Sequence, residues 1–118
     1  MIWDTPSKNK YGNKKTVIDN ILFDSLKEAA RYKELKLLLK AKQIRNLKIH
    51  PKYILAPKGE NIWGQKYREI AYSADFEYID DLSITVEDVK GVKTADYSIR
   101  KRLFMDKFPN YKFVESCR

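Results

Sequence analysis

The chain of 118 residues is the size of one domain with one core, and at 43% apolar residues it can fold without covalent staples. Its single cysteine, Cys117, excludes an internal disulfide and any four-cysteine or two-cysteine, two-histidine zinc site. A net charge of +8, from 24 Lys and Arg against 16 Asp and Glu, favours a polyanionic partner, nucleic acid first and an anionic membrane second.

Residues 1–15 are polar and carry Lys8, Lys10, Lys14 and Lys15, which reads as a flexible basic arm ahead of a single domain over 16–118. The arm has no apolar h-region, and no apolar run in the chain approaches the ~20 residues that span a bilayer. A soluble, cytoplasmic protein without a membrane partner is the expectation, with Cys117 as a solvated thiol. Thr16–Ile18 and Ile21–Phe23 are short β-prone runs around Asp19-Asn20, a pair suited to the positive φ angles of a two-residue hairpin turn. Asp24 or Ser25 offers an N-cap for a helix to about Lys42, a stretch free of Gly and Pro.

Ile44 to Leu55 reads as extended, interrupted at His50-Pro51, where the proline predicts extended geometry for His50 and an edge or bulge. Pro57 to Gly64 reads as a loop, Tyr67 to Ile79 as a strand, Asp80-Asp81 as a turn, and Ser83 to Lys90 as a second strand ended by Gly91. Thr94 caps a helix to about Lys107, Pro109 stops it, and Tyr111 to Val114 adds a last strand. The order β-hairpin, α, β, β, β, α, β predicts an α/β domain whose mixed sheet is covered by helices.

Charge is unevenly distributed. Lys33 to Lys52 holds seven basic residues and one acid; Ala74 to Val89 holds six acids and no base. A basic chain that gathers carboxylates in one stretch can build a cation site beside a phosphate-binding surface. On the first helix, Glu28 opens a stripe continued by Tyr32, Leu35 and Leu39, while Leu26, Ala30, Leu37 and Ala41 form a second stripe. Glu28 is read either as a first-turn acid complementing the helix dipole or as a carboxylate pointing into a site beside the sheet. The second stripe is read as a surface for a partner subunit or as part of a core on both sides of the helix.

Asp75, between Ala74 and Phe76, is an acid where strands disfavour one, so it wants solvent or a cation. Strand alternation puts Asp88 and Lys90 on one face and Glu87 with Val89 on the other. A carboxylate and an ammonium two residues apart can share a metal-and-phosphate site, the acid holding the cation and the lysine serving the attacking water or the phosphate charge. If the two strands pair through the Asp80-Asp81 turn, Asp75 comes beside Asp88. Two carboxylates with water and phosphate oxygens suit Mg²⁺ or Mn²⁺.

Asp75 followed by Asp88-Val89-Lys90, with Ser25-Leu26-Lys27-Glu28-Ala29 upstream, resembles the PD-(D/E)XK nuclease superfamily. More closely, Phe23-Asp-Ser-Leu-Lys-Glu-Ala, Ala74-Asp-Phe and Val86-Glu-Asp-Val-Lys-Gly resemble a family of small phage proteins of this type, over residues 11–113. The resemblance implies a restriction-endonuclease-like core, a four-stranded mixed sheet flanked by helices. It also implies divalent-metal-dependent hydrolysis of DNA in phage recombination, repair or processing, with branched DNA among the substrates. Asp75 and Asp88 would bind the metal, Lys90 would position or activate water, and Glu28 would complete the site directly or through a metal-bound water. Such families include junction resolvases, so a homodimer is an expected assembly. Two departures stand out: Ala74 replaces the proline before the first Asp, and Asp88 replaces the commoner Glu, leaving Glu87 as the alternative second ligand.

Lys33, Lys36 and Lys40 on the first helix, and Arg100 and Lys101 on the second, are the candidate DNA contacts, with a solvated face as the alternative. Trp3 and Trp63 are candidates for base stacking, Trp63 the better, and His50, the only histidine, reads as structural. The competing functions are a non-catalytic nucleic-acid-binding module and a host-interaction phage protein, each retaining the nuclease fold.

Overall fold

The computed structural model describes residues 14–89 and 93–116. Lys90, Trp3, Cys117 and all but the last two residues of the N-terminal arm lie outside the described residues.

The chain opens with a hairpin of β1 (Thr16–Ile18) and β2 (Ile21–Phe23). Asp19 and Asn20 turn it at φ 53° and 65°, as the right-handed twist of a two-residue hairpin demands. Ser25 then caps α1 (Leu26–Lys40), its side chain accepting from the Glu28 amide at 3.1 Å. The helix buries Glu28, Ala29, Tyr32 and Leu35. Its second stripe faces solvent: Leu26 is 56% and Leu37 68% exposed, so the core lies on one side of α1.

The central sheet has the order β10-β9-β8-β3, built from β3 (Ile44–Ile49), β8 (Phe76–Asp80), β9 (Ser83–Val89) and β10 (Lys112–Ser116). β3 and β9 run antiparallel to β8, and β10 runs parallel to β9, so the sheet is mixed. The parallel edge strand is reached by a crossover through α2 (Ala95–Lys107), capped by Thr94. The fold is α/β, with a four-stranded mixed sheet and two helices.

Strand alternation separates two cores. Phe76 and Tyr78 project towards α1 and pack with Phe23, Tyr32, Leu35 and Ile44. Val86 projects the other way and packs with Tyr53, Tyr72, Tyr97 and Phe104 beneath α2. Phe104 sits at the centre of an aromatic group, with ring centroids 4.9 Å from Tyr53 and 5.4 Å from Tyr72.

The sequence between β3 and β8 departs from expectation. Tyr67 to Ile79 is not one strand: β6 (Lys66–Tyr67), β7 (Ile70–Ser73) and β8 follow one another, separated at 68–69 and at Ala74-Asp75. The expected loop over 57–64 contains β5 (Gly59–Glu60), which pairs with β6. β4 (Lys52–Ala56) pairs with β7 outside the central sheet. Residues 52–73 therefore form a two-stranded arm that leaves the sheet.

Both strands of that arm bend at the same place. The His50 amide donates to the Asp75 carbonyl at 2.9 Å, and the Ala74 amide to the Pro51 carbonyl at 3.1 Å. His50 is not extended but left-handed, at φ 54°. Proline disfavours the right-handed helical region for the residue before it, and the hydrogen bond from the His50 amide to the Asp75 carbonyl holds His50 in a region that costs a non-glycine residue about 1–3 kcal/mol.

Candidate active site

The register of β8 and β9 fixes the site. The β8–β9 ladder ends where Phe76 pairs with Glu87, which leaves Asp75 and Asp88 as the next residues of the two strands. The Asp75 amide still donates to the Glu87 carbonyl at 3.2 Å. Beyond it the ladder changes hands: the Val89 amide donates to the Asp75 side chain, Oδ2, at 2.6 Å. The carboxylate has replaced a backbone carbonyl, which is why β8 stops short of Asp75 and the two strands part there.

Glu28 reaches the same place from the third residue of α1 and is 5% exposed. In that position a glutamate can fold back on the cap residue, but here Oε1 meets His50 Nε2 at 2.9 Å. Both Glu28 and Asp88 act on the Asp75 carboxyl. Burial first and the Glu28 charge second raise it, the Val89 amide and Asp88 pull against that rise, and the net result is a shift from 3.8 to about 6.

Asp88 is fully buried and points to the α2 side, where the Tyr72 hydroxyl donates to Oδ2. Burial, together with Asp88, holds the Tyr72 phenol far above its ordinary pKa, so it remains a donor. The site is thus a row of three carboxyls, Glu28, Asp75 and Asp88, running from the helix across the parted strands. The three do not converge on one point: among the described residues, no group of three or more His, Cys, Asp or Glu is arranged to hold an ion by itself. Mg²⁺ asks for less, since it keeps several waters and takes one or two carboxylates. Burial is the main cause of the raised Asp75 pKa and the Glu28 charge the second; a cation beside Asp75 would offset the latter, and carboxylate oxygens are donors that suit a hard divalent ion.

Glu87 lies on the opposite face and is fully occupied. Arg31 donates from Nε to Oε2 at 2.6 Å and from Nη2 to Oε1 at 3.0 Å; Tyr78 and Ser116 hydroxyls donate at 2.7 Å each. Burial pushes the Glu87 carboxyl up, and these donors more than reverse it, leaving it below its ordinary value. Its role is to hold α1 and β10 to β9.

The predicted basic contacts divide in two. Lys33, Lys36 and Lys40 are exposed on α1. Arg100 is used within the fold, donating from Nη1 to the Ala71 carbonyl and from Nε to Asp96 at 3.0 Å. Lys101 reaches β10, where it meets Glu115 at 3.2 Å and lies 5.2 Å from the centre of the Phe113 ring. His50, read from sequence as structural, stands at the site beside Glu28. The signal for it was the interrupted strand at His50-Pro51, whose meaning depends on the matching break at Ala74-Asp75.

A shallow groove of about 470 Å³, lined by Leu39, Gln43, Ile44 and Ile79 among others, lies at the far end of β8 from these carboxyls. Its lining holds a single acid, Asp81, beside Lys42 and Arg45, which is no cation site.

Residues 8–118 match the family described as "Protein of unknown function (DUF1064)". The chain belongs to the DUF1064 family. No curated protein and no solved structure matches it. The match runs through Glu28, Asp75 and Asp88, and also through the arm of residues 52–73.

Proposed function

We propose that this DUF1064 chain is a divalent-metal-dependent endonuclease of the PD-(D/E)XK kind, acting on DNA phosphodiester bonds in phage DNA processing. The observation that supports the reading most is the row of buried carboxyls on Glu28, Asp75 and Asp88, in a chain of net charge +8. Asp75 and Asp88 would hold the cation, and the Val89 amide fixes the Asp75 side chain. Glu28 adds a third carboxyl within reach, itself oriented by His50. Bound Mg²⁺ or Mn²⁺ supplies a polarised phosphate and a water of lowered pKa. Lys90, two residues after Asp88 in sequence, would position the attacking water as an ammonium, or activate it as the neutral amine.

The failure of the three carboxyls to converge supports a second reading, a DNA-binding protein without catalysis. A cleavage panel containing a four-way junction, a flap and a plain duplex, each with Mg²⁺ and with Mn²⁺, separates the two. Cleavage that Asp75→Ala or Lys90→Ala reduces at least ~1000-fold is the expected result. Binding without cleavage of any substrate in either metal would leave the second reading standing and remove the first.

A further inference from the structure

The arm of residues 52–73 ends in a tip whose side chains have no use inside the fold. Ile62 is 91% and Trp63 81% exposed, side by side on the turn. The tip is nevertheless tied by its own hydrogen bonds. Asn61 Oδ1 accepts from the Trp63 and Gln65 amides at 2.9 and 3.0 Å, and Asn61 Nδ2 donates to Gln65 Oε1 at 2.8 Å. Gly64 completes the turn at φ 80°. Below the tip, Tyr67 lies across Gly59 so closely that an added Cβ would come within 2.7 Å of its hydroxyl. The backbone that carries Ile62 and Trp63 is held in place before any partner arrives, so little ordering remains to oppose binding.

Charge and position indicate the partner. Lys58, Lys66 and Arg68 are exposed along the arm, and its four bases outnumber its two acids, one of which (Glu69) is paired with Lys52 at 3.2 Å. One strand of the arm runs directly into Ala74-Asp75, so a polyanion lying at the carboxyl site has the arm beside it. The twelve residue-to-residue steps from Trp63 to Asp75 span at most about 40 Å, close to one turn of a duplex.

We propose that this arm is a second DNA-contacting element, in which Trp63, seconded by Ile62, stacks on a base that is unpaired at a branch, bulge or single-stranded stretch, while the arm's bases follow the backbone. Aromatic stacking on an unpaired base is tolerant of sequence and needs only a free ring face, which the tip offers. A contact between two copies of the chain is the poorer fit, because these two side chains offer roughly 400 Å², about half of what each partner gives to a standard interface. The inference rests on DNA being the partner of the carboxyl site.

The test is binding in EDTA, where cleavage plays no part, to a four-way junction, a single strand and a plain duplex. In a Trp3→Phe background the remaining tryptophan emission reports Trp63 alone. Emission should be quenched by the junction and the single strand. Trp63→Ala should weaken binding to both about tenfold or more and leave the duplex within about twofold, with Trp63→Phe close to wild type. Equal binding by Trp63→Ala with no quenching, or a dimer that Trp63→Ala converts to monomer, would overturn the arm's role while leaving the nuclease reading intact. A wild-type protein that binds none of the three DNAs would overturn both.

Discussion

Glu87 and Asp88 are adjacent on β9 and equally buried, yet their surroundings are opposite in kind. Glu87 faces α1 and meets a guanidinium and two hydroxyls, a complete set of donors for a buried carboxylate. Asp88 faces the α2 side and meets a tyrosine and a second carboxyl, that of Asp75, which itself adjoins Glu28. The groups acting most strongly on Asp75 include two carboxyls and no base. Compensated charge holds the layers together on the α1 side; the carboxyls gathered on the other side are where a bound cation, if the proposed function holds, would act.

The largest expected effect comes from breaking the compensated side. Arg31→Met strands Glu87 without its counter-ion and should lower unfolding free energy by about 3–5 kcal/mol in urea titrations. A loss under 1 kcal/mol would mean that Glu87 is not held as its geometry says.

The opposite sign is expected across the strand. The Asp75 carboxyl is raised from 3.8 to about 6, so the native chain binds this proton more tightly than the unfolded chain. Stability contributed by the proton is present below about pH 4 and is lost as pH rises through about 6. Asp75→Asn should therefore stabilise the metal-free protein by on the order of 2 kcal/mol at pH 8, and by nothing measurable at pH 4. Thermal unfolding of both proteins across that range checks it; a destabilised variant at pH 8 contradicts it.

His50→Asn tests the left-handed residue that holds Glu28. Asparagine accepts positive φ, so stability should change by less than about 1 kcal/mol, while cleavage falls about tenfold as Glu28 loses its partner. An unchanged rate would make the His50–Glu28 contact incidental. Last, Ser25→Ala removes the cap that starts α1 and sets Glu28 in its first turn, and should cost about 1 kcal/mol of stability.

Much of this was legible in the chain. The Asp19-Asn20 hairpin, the Ser25 and Thr94 caps and both helices follow from local turn and cap chemistry, and the β8–β9 hairpin from alternation on either side of its turn. Alternation also separated Asp88 from Glu87, because strand periodicity alone assigns faces. The break at Ala74-Asp75 was not legible, since it arises where a side-chain oxygen takes the amide of Val89, fourteen residues on. The left-handed His50 was hidden for the same reason: its amide is satisfied by Asp75, and only the pairing of two bends explains it. Arg31 gave no sign of its role, because nothing local ties a helix residue to a carboxylate fifty-six positions away.

The most direct test of the account is Mn²⁺ binding followed by electron paramagnetic resonance, on wild type, Asp75→Asn, Asp88→Asn and Glu87→Gln at pH 8. Wild type should take up Mn²⁺, with affinity reduced at least ~10-fold by either aspartate change and preserved by the Glu87 change. Binding that survives Asp75→Asn unchanged, or wild-type protein that binds no Mn²⁺, would contradict the claim that the gathered carboxyls are a cation site.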